Sequence, residues 1–421
     1  MYLSFSELAW TPFSGAKSRN DLRGFEFAEN WGDWDEKADL STQERKLGGN
    51  RGGREARKEV GMRKRGAARG ESATVGLDLG DRFSWYCAVN MTGEVLEEGE
   101  VRTTPAALKR LFLRRRRSRV AIEAGAQSPW VSRLISACGH EVLVANPSRF
   151  RLVYGSATKN DRLDAERLAR VARMDPTLLA PIHHRSEKAQ ADLALVRARQ
   201  SLVRSRTLLV NHARGSVKAF GSVLPQCSTG SFAKKAAEYI PELLRPALEP
   251  VLLEIQHLTT LIRAYDRRMV EIARTQYPQT ALLQQVAGIG PVTALAYMLI
   301  LENPNRFRKS RQVGSYVGLR PRQDASADRD PQKRITKAGD TLLRTLLVQA
   351  SHYILGRFGP DTDLRRRGLA LASRGGKNGK KRAVVAVARK LAVLLHHLWV
   401  TGEVYEPLKN TEKQQMLMAT A

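Results

Sequence analysis

The sequence predicts an α/β domain followed by a long helical region, an α/β plus α chain. Three observations predict it. Strand-like and helix-like segments alternate between residues 74 and 145, leucines recur at helical spacing between 187 and 275, and the stretch from Leu282 to about Val400 reads as mostly helical.

Thr74–Gly80 has a buried-strand pattern that ends in Gly, and Ser84–Asn90 with Glu94–Val101 continue it as a meander turning at Thr92-Gly93. Ala106–Leu113 reads as a short helix, Arg119–Ile122 as a strand, Ser128–Cys138 as a helix stopped by Gly139, and Glu141–Ala145 as the last strand. Three strands followed by helix, strand, helix, strand is the order of a ribonuclease-H/RuvC-like domain. Asp161–Arg173 follows as an amphipathic helix with Leu163, Leu168 and Val171 on its apolar side. Further on, Leu193, Leu195, Leu202, Leu208 and Leu209, then Leu252, Ile255, Leu258, Leu261, Ile262 and Met269, are split by a Gly/Ser/Pro-containing break over Gly215–Gly230. This pattern suits an antiparallel helical hairpin, or a coiled coil used for dimerisation. The expected organisation is a disordered leader over 1–70, an α/β domain over 71–180, the hairpin over 181–280, a helical domain over 281–405, and a polar tail over 406–421. The leader holds the run Gly48–Arg54 without any sustained period, and Met62 offers an alternative start.

The chain has 421 residues with 70 Lys plus Arg against 42 Asp plus Glu, a net charge of +28. A polyanion is therefore the expected partner. Residues 1–70 hold 14 Lys/Arg and 11 Asp/Glu, so +25 of that charge belongs to the folded remainder. Cys87, Cys138 and Cys227 show no CxxC spacing, which excludes a disulfide framework and a Cys-rich zinc module and fits a reducing cytoplasm. The first 25 residues carry Glu7, Lys17, Arg19, Asp21 and Arg23, so no signal peptide is expected, and the apolar run Val292–Leu301 is too short to span a bilayer. No membrane role is expected. With aromatic residues at 6%, phosphate contacts by Lys and Arg are expected to outweigh base stacking.

Four carboxylates are placed to converge. Asp78 sits in a strand between Gly76 and Gly80, whose missing side chains would let a metal or phosphate approach the backbone. Glu123 closes the next core strand, and Asp161 and Asp164 share one helical face at i and i+3. Such acids repel one another unless cations neutralise them, and hard oxygen ligands select Mg²⁺ or Mn²⁺. Two such ions can assist phosphoryl transfer. Taken singly, a GxDxG strand also suits actin-like ATPases, and a DxxD helix is ordinarily a solvated face. In the second half, Val286–Ala294 resembles a helix-hairpin-helix turn, in which the N–H groups of Gly288 and Gly290 would face a DNA phosphate. A tight turn between two helices explains the same residues. Tyr316–Ser326 leads into a polar loop that ends at Arg334–Asp340, and a loop serine such as Ser326 is ordinarily a turn residue.

The chain resembles the DEDD transposases of bacterial insertion sequences, the IS one-ten family of bridge-RNA-guided recombinases. GLDLG at 76–80, IEAGA at 122–126 and KNDRLDAERLA at 159–169 carry the first half, with the basic stretch Leu202–Phe220 and its Arg204, Arg206 and Asn211. GIGPVTA at 288–294, YVGLRPR at 316–322, RITKAGDTLLRTLL at 334–347 and KKRAVVAVARKLAVLLHHLW at 380–399 carry the second. The resemblance spans about residues 73–405.

By position, the resemblance implies that Asp78, Glu123, Asp161 and Asp164 are a metal-binding tetrad and that Ser326 is a nucleophile. Family members commonly show Ser-Ser-Gly here, whereas this chain has Ala325-Ser326-Ala327, leaving Ser326 as the one serine of the triplet. The implied reaction is site-specific recombination of donor and target DNA through a phosphoserine, guided by a noncoding bridge RNA, in a cytoplasmic homo-oligomer (a dimer, and a tetramer in the synaptic complex). Implied nucleic-acid contacts are Arg204, Arg206, Asn211, Gly288, Gly290, Arg322, Lys337, Lys380, Lys381 and Arg382. The basic runs Arg114–Arg117, Arg365–Arg367 and Lys377–Arg382 are expected to position backbones rather than read bases. The competing reading is a metal-dependent Holliday-junction nuclease that uses the tetrad alone.

Overall fold

The structure is a computed structural model, and it describes residues 73–147, 160–323, 333–376 and 378–411, with the backbone of 63–64. Ser326 and Lys377 lie outside the described residues, as do most of the expected leader and the end of the tail. The chain divides into two compact units between Arg185 and Ser186.

The first unit is a six-stranded mixed sheet. Its strands are β1 (Arg63–Lys64), β2 (Thr74–Asp78), β3 (Phe83–Val89), β4 (Val95–Arg102), β5 (Arg119–Glu123) and β6 (Glu141–Ala145), in the order β1-β4-β3-β2-β5-β6. β4, β3 and β2 pair antiparallel as a meander, and β2, β5 and β6 run parallel. This is the expected ribonuclease-H-like order, with one addition. Arg63–Lys64, inside the segment read as a leader, pairs with Glu97 and Glu98 of β4 and extends the sheet.

Cover on both faces explains why the parallel strands β2, β5 and β6 are largely apolar, whereas β4 carries Glu97, Glu98 and Glu100. Val75, Leu77, Val120, Ile122 and Val144 face one side and pack on α1 (Pro105–Leu113) and α2 (Ser128–Ala137) through Leu108, Phe112, Val131 and Ile135. Ala121, Ala145, Cys87 and Val89 face the other side, under α3 (Asp161–Met174). α3 meets the sheet through Ala165, Leu168, Ala169, Val171 and Ala172. Leu163, expected on that apolar side, is exposed instead. At ~100° per residue, Leu163 lies about 200° round the helix from Ala165 and about 140° from Leu168, so it points away from the sheet.

The second unit is helical. α4 (Glu187–Ser216) and α6 (Arg245–Gln276) form the expected hairpin, joined through the short α5 (Phe232–Ala236). Their cross-links run Lys188 to Gln276, Arg199 to Asp266 and Arg206 to Thr259. Each step forward on α4 is a step back on α6, so the pair is antiparallel. The base of the hairpin shares one core with the carboxyl-terminal helices, Leu193, Val196 and Met269 lying with Tyr297, Leu347 and Leu391.

Those helices are α7 (Thr280–Gln284), α8 (Pro291–Leu301), α9 (Arg311–Tyr316), α10 (Thr341–Leu355), α11 (Asp363–Ser373) and α12 (Gly379–Thr401). α8 is buried on every side from Thr293 to Leu301, which is why it shows no amphipathic period. α12 is long and apolar enough by composition to cross a membrane. Its Ala388, Leu391, Ala392 and Leu395 belong to the helical core, so its apolarity is accounted for by packing.

Candidate active site

The carboxylates are gathered by register. β2 and β5 are paired up to Leu77 and Ile122, so Asp78 and Glu123 stand side by side one position further along. Each is two residues beyond a residue on the α3 face, Gly76 or Ala121, and therefore lies on that face too. Arg119, at the start of β5, donates to the carbonyl of Ala172 near the end of α3. Ala165 and Ala169 sit over Gly76 in mid-strand. The helix thus runs against the strands, and its first turn, with Asp161 and Asp164, reaches the edge where Asp78 and Glu123 end. All four sequence-predicted acids share one sheet edge.

They are not closed into a coordination shell. Among the described residues no three or more His, Cys, Asp or Glu side chains stand close enough to hold one ion. Asp164 is turned to Arg167, whose Nη1 donates at 3.1 Å. The donor set is hard oxygen, which is the ligand type Mg²⁺ or Mn²⁺ takes.

Neither Gly76 nor Gly80 leaves room for a ligand. A Cβ on Gly76 would stand 1.9 Å from the carbonyl oxygen of Ala165, and one on Gly80 would stand 2.2 Å from that of Phe83. The protein's own backbone occupies both spaces. Cys87 is also excluded from chemistry, since burial pushes its thiol up to about 12.

The turn after Glu123 is held by residues that sequence reasoning passed over. The hydroxyl of buried Ser128 accepts from Gly125 N–H, donates to Gly125 O, and lies 2.9 Å from His184 Nε2. Burial, with Arg133 and Arg185 nearby, holds His184 below its ordinary value of 6.5. The folded pKa is depressed, so the stability His184 contributes is complete above pH 6.5 and is lost as pH falls through the folded value. His184→Gln is expected to flatten the fall in melting temperature between about pH 7 and about pH 5, the range over which a histidine takes up its proton. A thermal titration of the full chain checks this.

In the helical unit, Arg320–Arg322 and Arg334–Thr336 form a short antiparallel ribbon, with Arg322 N–H donating to Arg334 O and Thr336 N–H to Arg320 O. Ser326 belongs to the segment this ribbon joins. The ribbon's foot explains two sequence motifs. Gly318 (φ +72°) and Gly339 (φ +76°) bring two backbones together, and Cβ atoms there would stand 2.1 Å from Ala338 O and 1.9 Å from Tyr316 O. Buried Arg344 spans the junction, donating to Val317 O at 3.1 Å, to Ala338 O at 3.0 Å and to the Thr341 hydroxyl at 3.1 Å.

The predicted nucleic-acid contacts divide. Arg204, Asn211, Arg322, Lys337, Lys380, Lys381 and Arg382 are exposed. Arg206 is not a surface residue: it is 7% exposed and donates to the Thr259 hydroxyl across the hairpin. Gly288 (φ +86°) is accounted for by packing, since a Cβ there would stand 3.0 Å from Ala350 O, while Gly290 caps α8 in extended conformation.

The basic runs also divide. Arg115 is tied to Glu97 at 2.8 Å and lies over the Tyr86 ring, Arg365 donates to the carbonyls of Ile354 and Gly356, and Arg366 pairs with Asp361 at 2.6 Å. Arg115 and Arg365 brace the fold, whereas the exposed Arg366–Asp361 pair adds little to it. Lys380, Lys381 and Arg382 stand instead in the first turn of α12, where the helix dipole opposes cations by ~0.3–1 kcal/mol each. A polyanion would relieve that opposition.

Comparison with known proteins decides the family. Residues 75–220 match the family model described as a DEDD transposase, and residues 280–365 match that of the transposase IS116/IS110/IS902 family. The chain belongs to the IS110 (IS one-ten) family of transposases. The transposase for insertion sequence element IS1328 of Yersinia enterocolitica is 31% identical over 248 residues, 56% of this chain and 71% of its own. That for insertion sequence element IS1111A of Coxiella burnetii is 27% identical over 348 residues, 79% of this chain and 90% of its own. The first match takes in all four edge carboxylates, and the second takes in the ribbon and its foot.

Proposed function

We propose that this transposase cuts and rejoins DNA through a covalent phosphoserine on Ser326, with divalent cations held by Asp78, Glu123, Asp161 and Asp164 and with a bridge RNA choosing the sites. The observation that carries the reading is the convergence of these four acids on one sheet edge, while a separate braced ribbon holds the segment that contains Ser326. A nuclease working with a metal-activated water has no need of such a ribbon.

In the step proposed, the Ser326 hydroxyl oxygen attacks a DNA phosphorus and the bond from that phosphorus to the 3′-oxygen breaks. The serine proton is released and the departing oxygen gains one, leaving a 3′-hydroxyl. Attack of a 3′-hydroxyl on a phosphoserine then reverses the exchange on a new partner, conserving bond energy. Bound Mg²⁺ or Mn²⁺ would supply charge stabilisation at the phosphate oxygens. The exposed Arg322 lies in the ribbon and Lys337 directly follows it, and Lys380, Lys381 and Arg382 offer backbone contacts to DNA or guide RNA. The active form would be a dimer, with a tetramer at synapsis.

The test incubates the chain with Mg²⁺, DNA and the structured noncoding RNA of its element. A protein–DNA adduct is expected for the wild type and absent in Ser326→Ala, with DNA binding retained. An equal cleavage rate in Ser326→Ala would replace this reading with the tetrad-only nuclease.

A further inference from the structure

The hairpin has polar positions on α4 seven residues apart, Asp192, Arg199 and Arg206, which is the spacing of one coiled-coil seam. The first two find complementary partners. Asp192 accepts from the Tyr277 hydroxyl at 2.7 Å, and Arg199 donates to Asp266 at 3.0 Å. Arg206 has no carboxylate of its own. One of its nitrogens donates to the Thr259 hydroxyl at 3.2 Å, and its buried Nε, like those of Arg115, Arg173 and Arg245, meets no acceptor among the described residues. A buried guanidinium left in this way is unfavourable unless something else compensates it.

A cavity of about 60 Å³ opens beside it, lined by Arg206, Ser228, Ser231, Thr259, Arg263 and Asp266. That is above the ~15 Å³ threshold for holding one water, so the recess has room for a small polar group. The charges around it are unbalanced. Arg199, Arg206 and Arg263 face a single carboxylate, Asp266, which Arg199 already engages. Arg263 is exposed and makes no hydrogen bond or ion pair among the described residues. Desolvation together with Arg199 and Arg263 lowers the proton affinity of Arg206, the mark of a site short of negative charge. Gly230 borders the recess, and a Cβ there would stand 4.0 Å from both Arg263 Nη2 and Ser228 Oγ.

We infer that this recess in the hairpin binds one backbone phosphate of a nucleic acid, between the guanidiniums of Arg206 and Arg263, with Ser228 and Ser231 at its rim, their hydroxyls 2.9 Å apart and bonded to each other. The two guanidiniums converge from facing helices, and charge-assisted hydrogen bonds from arginine are among the strongest a phosphate oxygen accepts. The site stands apart from the serine chemistry and does not depend on it. It also gives Arg206 a role that an outward-facing phosphate contact could not, since the helices have already fixed its position before the ligand arrives.

The test uses the full chain and inorganic phosphate at constant ionic strength. At ten times its dissociation constant, phosphate is expected to raise the melting temperature of the wild type by about 3–5 °C, saturably. Arg206→Met, which removes the buried charge, is expected to melt no lower than the wild type without phosphate and to show no phosphate shift. Arg263→Gln, on the surface, is expected to lose most of the shift. Equal shifts in wild type and both variants would overturn the site. A second measurement, binding of a short single-stranded DNA across a salt series, separates the sources. Arg263→Gln is expected to reduce the slope of log K against log salt by about 0.7. An unchanged slope alongside an intact phosphate shift would assign the recess to free phosphate and overturn the backbone reading.

Discussion

Gly76→Ala is expected to destabilise the sheet unit by about 1–3 kcal/mol and to abolish DNA joining. The new Cβ would stand 1.9 Å from Ala165 O and 2.5 Å from Ala169 N, both backbone atoms of α3 that no rotamer change can move. The helix must lift off the sheet. Asp161 and Asp164 travel with it, away from the edge that Asp78 and Glu123 occupy. Gly125→Ala is the control, since nothing lies within 4 Å of a Cβ there. That substitution is expected to be neutral or slightly stabilising through the unfolded chain. Thermal melts and a joining assay on both variants check the pair, and equal melting temperatures would sink the close-packing account of Gly76.

Arg344→Met is expected to cost about 3–5 kcal/mol in the helical unit and to suppress joining, although Arg344 is far along the chain from Ser326. Met matches the length of the aliphatic stem but donates nothing, so Val317 O and Ala338 O lose a charged donor at the foot of the ribbon. Burial lowers the proton affinity of Arg344 and Asp340 raises it, so the arginine is held in place by its carbonyl partners against its own desolvation. Arg344→Lys is expected to recover part of the stability by reaching one carbonyl, without the fork that spans both backbones. Urea midpoints for the three proteins give the stability order. If Arg344→Met joins DNA at the wild-type rate, the brace does not position the serine segment.

Much of the molecule was legible before any coordinates. The strands and helices from Thr74 to Met174 fall where period and turn residues put them, because the central strands are covered on both faces and each helix has a distinct cap or stop. The antiparallel hairpin was legible for the same reason. Arginines were the main failure. Arg115, Arg206, Arg344, Arg365 and Arg366 look alike as letters, and a basic run gives no sign of which member has an acceptor waiting behind it. Leu163 failed differently, because the helical turn carries it to the side opposite Ala165 and Leu168, which face the sheet. Gly76 and Gly80 read as openings for a ligand and prove to be filled by backbone.

The sequence by itself determined the family, the strand order, the four acids and the polyanion-binding charge, since these depend on residue type and spacing. Only the tertiary structure decided what those residues face. Register carries Asp78 and Glu123 to the edge where α3 begins. The hairpin turns Arg206 inward to a recess it shares with Arg263 and Asp266. The backbone contacts at Gly318 and Gly339 set the ribbon's foot. Each of these is a meeting of segments distant in sequence, and whether an arginine braces a fold or awaits a phosphate depends on which acceptors that meeting brings within reach.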